Sequence, residues 1–320
     1  MPARRAGRFE GRSMGSPLRL TLPGTSAASA AWDEVVAEFA ASDLAMSRFR
    51  DDSEAIRLAR SAGTGHAVSV GRRLERAVIA ADRARRVTEG RFEPRILWDL
   101  ERLGEHGAAI GTRSVAGDAH ATADEVASER RWAGRPITRR TSPGQLEVDH
   151  PIDLGGIGKG LALRWAAARI ATLGITDFLL DAGGDIVLRG AAPDGPWRVA
   201  IEDPRGGDEP LAVLEPGAGA VATSSIRRRH WSTIDGRPVH HLIDPATGEP
   251  SDRGLLAVTL AAPDPAWAEV WSKALFLTGR DEIGPEARRR GMAAWWVTVE
   301  GKLEMTPAAR GRSVWVRGES

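Results

Sequence analysis

Cysteine is absent from the chain, and so is tyrosine. Without a thiol there can be no disulfide, no thiolate nucleophile and no cysteine-ligated zinc or iron–sulfur centre. Lipid anchoring through an N-terminal cysteine is not expected either. The lack of tyrosine beside 11 tryptophans has no physical account. Long apolar runs are also missing. The basic opening MPARRAGRFEGRSMGSP is not followed by an apolar stretch of signal-peptide length, and no window approaches a membrane span. The expectation is a cytoplasmic protein that is not membrane-embedded. Charge of one sign is not in excess either. Lysine plus arginine number 44 against 43 acidic residues, a net charge of +1, which argues against a bulk nucleic-acid binder. What remains is a soluble globular balance, 42% apolar and 27% charged over 320 residues. That is enough for one large domain or two ordinary ones around a sizeable core.

The pattern along the chain mixes helices and strands without strict alternation, which predicts an α+β fold. Residues 1–13 read as a loose arm. An apolar strand is expected over Leu18–Leu22. A helix follows over Ala27–Met46, with Trp32, Val35, Val36, Phe39 and Leu44 as its stripe. Further helices are expected over Val70–Thr88 and Ile96–Leu103. Residues 104–135 read as a variable insert and 311–320 as a tail, around a single domain over 14–310. From Ile152 a glycine-rich turn feeds a helix ending near Gly174. "DFLLDAGGDIVLRG" reads as strand, Gly-Gly turn, strand. "WRVAIEDP", "LAVLEP" and "GAVATSS" are short strands. "LLAVTLAAPDP" is a strand leading into a helix over Trp267–Thr278 closed by Gly279. "MAAWWVTVEGKLEMTP" is a hairpin turning at Glu300-Gly301.

Five stretches could carry chemistry. "DLGGIGKG", Asp153–Gly160, places glycines and Lys159 at a helix start, where free N–H groups meet an anion. It lacks the P-loop spacing, and a tight packing turn would look the same. "LLDAGGDI" brackets Gly183-Gly184 with Asp181 and Asp185, which also suits a hairpin with side-chain-capped turns. "AVATSSIRRRHW" sends Thr223, Ser224 and Ser225 into three arginines, either a solvated edge or a cationic wall for a diphosphate. "HHLIDPATGEP" is a turn over Asp244–Gly248, led by a strand that would put His241 and Ile243 on one side. "AWAEVWSKALFL" sets Glu269 and Lys273 four apart on a helix, ordinarily a surface ion pair. Here the apolar neighbours leave little exposed face.

Singly these stretches are weak, but their order and spacing are not. "DLGGIGKG", "LLDAGGDI", "VATSS", "HHLIDPATGEP" and "AEVWSKALFL" in succession resemble the ApbE-type FAD:protein FMN transferases. "MGSPLRL", "MSRFRDDSEAIRL" and "GRFEPRI" extend the likeness over nearly all of Met14–Met305.

The resemblance implies an ApbE-like, T-fold-related α+β fold of mixed sheets and helices, with an FAD cleft between two halves. It implies transfer of FMN from FAD to a Thr or Ser hydroxyl, with AMP leaving and magnesium clamping the diphosphate. The partner would be an acceptor redox protein carrying a Thr/Ser flavinylation motif. By this likeness Met14, Phe92, Glu93 and Pro94 lie near the flavin nucleotide. Lys159, Asp181, Gly183, Gly184, Asp185, Thr223 and Ser224 line the site. Gly158 and Glu269 are the expected metal ligands. His241, Ile243 and Asp244 approach the diphosphate, with His241 and Asp244 both open as general base. The chain departs from the family at several points. Lys273 stands where a threonine ligand is usual, Glu269 for an aspartate, Glu93 for an aspartate, Arg95 for a threonine, Ser225 for a glycine and Arg164 for an aspartate. A charged lysine has no lone pair for a metal. The expectation is that Lys273 takes over part of the metal's charge and acts in catalysis. The alternatives are a non-catalytic FAD-binding protein and an FAD pyrophosphatase on the same fold.

Overall fold

A computed structural model describes residues 6–107 and 136–319. Most of the expected 104–135 insert lies outside the described residues. The chain falls into two compact units. The first comprises residues 1–41, 157–227 and 253–320; the second comprises 42–156 and 228–252.

The first unit is built on an eight-stranded sheet whose spatial order is the order of the chain. Its strands are Ala6–Ser13, Ser16–Pro23, Phe178–Ala182, Asp185–Arg189, Gly219–Ser225, Leu255–Ala262, Ala293–Thr298 and Leu303–Met305. Every neighbouring pair is antiparallel. Successive side chains point to opposite faces of a strand, and both faces here are covered. On one face Leu18, Leu20, Leu22, Leu180 and Val187 meet Val35 and Phe39 of the Ala28–Met46 helix and Leu163, Ala166 and Ile170 of the Gly158–Thr172 helix. On the other, Leu188, Val221, Trp295 and Val297 pack with Val199, Leu214 and Val316. Those three belong to a small sheet of Val199–Ile201, Ala212–Leu214 and Ser313–Val316.

Several expectations are corrected by this packing. The arm expected over residues 1–13 contains the strand Ala6–Ser13, because Met14 and Gly15, both at positive φ, turn it back onto Ser16–Pro23. The expected tail supplies Ser313–Val316, which pairs with Ala212–Leu214. In the first long helix Val36 and Leu44 are exposed; Ala31, Val35 and Phe39 form the buried row at a spacing of four. The last large helix starts at Pro265 rather than Trp267, with the Asp264 carboxylate capping the Ala266 and Trp267 N–H groups.

The second unit carries the helices Glu54–Arg60, Arg72–Val87 and Leu97–Arg102 and small two- and three-stranded sheets. Ile96, Leu100, Leu103, Val239 and Ile243 form one of its cores, with Trp231 packed against them. Among the described residues no helix is long and apolar enough to cross a membrane.

Candidate functional site

In the first unit, Gly183 and Gly184 make the turn between Phe178–Ala182 and Asp185–Arg189, both with positive φ. Asp181 Oδ1 accepts the Gly184 N–H at 2.7 Å, so Asp181 shapes this turn. The turn delivers Asp185 to the helix-covered face of the sheet, where its side chain is buried. Lys159, in the first turn of the Gly158–Thr172 helix, points its Nζ at Asp185 Oδ2. The other oxygen, Asp185 Oδ1, accepts the Thr223 N–H at 3.3 Å.

The Pro265–Thr278 helix completes the cluster. Glu269 is 5% exposed. Its Oε1 lies 3.7 Å from Lys159 Nζ, and its Oε2 accepts the Gly160 N–H at 2.8 Å. A carboxylate therefore already occupies the positive end of the Gly158–Thr172 helix. Burial pushes the Glu269 carboxyl up to about 7; Lys159 opposes this and the Asp185 charge reinforces it. Lys273, one turn on, also opposes it. The helix-surface reading of Glu269 and Lys273 is thus overturned: Glu269 faces Lys159 and Gly160 from a buried position. On the same helix Ser272 Oγ meets Ser224 Oγ at 2.9 Å. Thr223 Oγ1 meets Thr259 Oγ1 at 2.9 Å on the opposite face of the sheet, beside Val221 and Ala257. Sequence reasoning missed Ser272 and Gly160. Ser272 has no motif signal, and the Gly160 backbone matters only because two helices cross there.

Met14 sits at the tip of the first hairpin, half-buried against the helix-side core, and Ser16 beside it touches Gly183. A Cβ on Gly183 would lie 2.7 Å from Ser16 Cβ. Met14, Gly158, Lys159, Asp181, Gly183, Gly184, Asp185, Thr223, Ser224, Glu269 and Lys273 thus all belong to the first unit.

Phe92, Glu93, Pro94, His241, Ile243 and Asp244 belong to the second. Glu93 and Arg95 are both buried and joined by two hydrogen bonds of 2.7 and 2.8 Å. The Pro94 carbonyl accepts the Asp153 N–H at 2.7 Å. Phe92 is buried, its N–H donated to Thr88 Oγ1. Asp244 Oδ1 accepts the Ala246 N–H at 3.0 Å, and its carbonyl accepts from Gly248 at 2.8 Å. Arg102 clamps this turn through the Gly248 carbonyl and Glu249. The strand expected to lead into it is interrupted: Pro238–His240 and Ile243–Asp244 are separate, so strand alternation does not run from His241 to Ile243. Ile243 is buried and both histidines are half-buried. His240 Nε2 lies 3.1 Å from the Ser251 carbonyl, and burial holds its pKa below the ordinary imidazole value. His241 Nδ1 lies 3.1 Å from the Arg229 carbonyl.

The model of the ApbE family matches residues 14–296. The chain belongs to the ApbE family. Among curated ApbE relatives, the FAD:protein FMN transferase of Klebsiella pneumoniae (strain 342) is 27% identical over 321 residues, covering 97% of this chain and 90% of that one. The Escherichia coli (strain K12) protein of the same name is 27% identical over 311 residues, with 93% and 87% covered. The ApbE protein of Thermotoga maritima superposes with a TM-score of 0.81 at 23% identity, over 97% of this chain and 100% of that one. The flavin transferase ApbE from Vibrio cholerae gives 0.79 at 23% identity, over 96% and 99%. The ApbE fold is therefore shared at low identity.

A divalent ion fits this donor set poorly. At a phosphate site magnesium takes one or two protein carboxylates, and substrate phosphates and waters complete its six oxygens. Here both Asp185 oxygens are engaged by Lys159 and Thr223, Glu269 is engaged by Gly160 and faces Lys159, and Lys273 offers no lone pair. Among the described residues no group of three or more histidine, aspartate or glutamate side chains could hold a metal.

Proposed function

We propose that this chain is an FAD:protein FMN transferase. The observation that carries the reading is the family match over residues 14–296 together with the Lys159–Asp185–Glu269 cluster, both of its carboxylates buried, beside a helix start. In the reaction, the oxygen of a Thr or Ser hydroxyl forms a bond to the FMN-side phosphorus of FAD. The bond from that phosphorus to the AMP oxygen breaks, and AMP leaves. The hydroxyl proton passes to a base, for which His241 and Asp244 are the two candidates. The acceptor is a redox protein carrying a Thr/Ser flavinylation motif.

Such a displacement needs positioning and charge neutralisation more than covalent help from the protein. Lys159 and Lys273 supply cationic charge toward the diphosphate. Glu269, with its carboxyl shifted up to about 7, is partly neutral at physiological pH and so repels the phosphates less than an ordinary carboxylate. Transfer at this site proceeds on lysine charge, with no divalent ion bound by Glu269.

Incubation of the protein with FAD and an acceptor protein, in magnesium or in EDTA, tests this reading. AMP release and an FMN-sized mass gain on the acceptor in both buffers are expected. Loss of transfer in EDTA sinks the metal-free site. FMN and AMP formed without acceptor would instead mark a pyrophosphatase, and FAD bound without turnover a non-catalytic binder.

A further inference from the structure

The His241 ring is held by a chain of charged side chains inside the second unit. Its Nδ1 lies 3.1 Å from the Arg229 carbonyl, which also accepts the His241 backbone N–H at 3.2 Å. A carbonyl oxygen only accepts. Nδ1 therefore carries the proton, and the lone pair of the neutral ring is on Nε2. Arg229 belongs to the turn at residues 226–229 that precedes the His230–Ser232 strand. Its guanidinium fastens it there: Nε and Nη2 both donate to Glu105 Oε1, at 3.0 and 2.6 Å.

The chain continues inward. Glu105 Oε2 lies 2.7 Å from Arg48 Nη2. The contact is an ion pair, and both atoms are buried without a hydrogen-bond partner among the described residues. Arg48 Nη1 donates to the Glu105 carbonyl at 3.3 Å. Arg48 Nε stands 3.9 Å from Asp153, whose Oδ1 accepts the Gly155 N–H at 2.7 Å. Only 4% of the Arg48 side chain is exposed.

Arg48 is buried, but 15% of the Glu105 side chain and 35% of the Arg229 side chain meet solvent; pairs in such settings add little net stability, since desolvation and screening offset most of the attraction. The use of these contacts is to fix geometry. We propose that Arg229, Glu105 and Arg48 are positioning residues that lock His241 in the Nδ1–H tautomer and present Nε2 as the proton acceptor. The assignment rests on the transferase reading for what His241 acts upon. Each of the three acts through His241.

The tautomer can be read without turnover. Two-bond proton–nitrogen correlation spectra of the full-length protein labelled with 15N-histidine would be recorded at a pH about two units above the ordinary imidazole pKa of ~6.5. His241→Gln assigns the signal. The wild type should show Nδ1–H alone. Arg229→Ala should show a mixture of both tautomers, and Arg229→Lys a smaller admixture. In transfer assays Arg229→Ala should lower kcat by about 10–100-fold, the scale seen for outer partners of metal-bound histidines, with the FAD KM little changed. Arg229→Lys should recover part of the loss. Should Arg229→Ala fail to fold, Arg229→Lys carries the test. An Nε2–H ring in the wild type, or an unchanged tautomer in a folded Arg229 variant, overturns the proposal. If the spectra behave as expected while the wild type transfers FMN to no acceptor, the positioning chain stands and the transferase reading falls.

Discussion

The Gly160 N–H donates to Glu269 Oε2 at 2.8 Å, joining the start of one helix to the middle of another. The contact requires the helices to be close. A Cβ on Gly160 would lie 2.5 Å from both Ala266 Cα and the Pro265 carbonyl oxygen, backbone atoms that cannot swing aside. Gly160→Ala should therefore force the helices apart. The expected cost is about 1–3 kcal/mol of stability by urea unfolding, the usual price of overpacking. FMN transfer should fall as well, because Glu269 and Lys159 move together. Wild-type stability in the variant would show that the helices separate freely.

Glu269 gives stability a pH dependence of definite sign. Its carboxyl is raised from an ordinary 4.5 to about 7 in the folded protein. Between these values the folded state holds a proton that the unfolded chain has released. The stability gained is thus full below about 4.5 and lost as pH rises through about 7. Glu269→Gln, which keeps an oxygen for the Gly160 N–H, should be more stable than wild type at pH about 8 and close to it at pH about 5. Parallel unfolding curves across this range would contradict the shift.

Lys159 is the cation shared by Asp185 and Glu269. Breaking a buried ion pair by removing one partner costs ~3–5 kcal/mol; Lys159→Met should cost less, since a quarter of the Lys159 side chain meets solvent. FAD affinity should drop at least tenfold in equilibrium binding, whether or not magnesium is added. Unchanged FAD affinity in a folded variant would remove Lys159 from the diphosphate site.

Lys273→Thr replaces an ammonium with a hydroxyl oxygen one helical turn from Glu269. It should reduce transfer in EDTA and make what remains depend on magnesium, because a hard cation gains an oxygen donor there. Assays over a magnesium series would decide this. A variant as active in EDTA as wild type would show that Lys273 does not serve the reaction.

Arg164 and Asp264 form a two-pronged pair of 2.7 and 2.5 Å, and Asp264 also caps the Pro265–Thr278 helix. Both side chains are about a third exposed. Arg164→Ala should therefore cost under ~1 kcal/mol, as exposed pairs do, whereas Asp264→Ala should cost about 1–2 kcal/mol through the lost cap. A thermal-unfolding double-mutant cycle separates the two; equal losses would mean that the cap contributes nothing.

Local physics made much of this chain legible from its residues. Apolar periodicity located the helices over 28–46, 72–87 and 158–172, and paired glycines located the turn at 183–184. The Asp244–Gly248 turn followed from Pro245 and the Asp244 side chain, and the order of five weak stretches pointed to the family. Helix period, turn chemistry and motif spacing are properties of neighbouring residues, so a single sequence carries them. Tertiary structure alone decided which polar groups met. Glu269 and Lys273 share a helix, yet the buried carboxylate faces Lys159, distant in sequence, and a backbone N–H exposed by a glycine. Residues 1–13 and 311–320 looked unstructured, yet pairing made strands of both: Ala6–Ser13 folds back on the neighbouring Ser16–Pro23, and Ser313–Val316 finds the distant Ala212–Leu214. The charge chain from Asp153 through Arg48 and Glu105 to Arg229 has no spacing to betray it, since its members come from four separate segments. Burial sets its chemistry, and burial is a property of the folded whole.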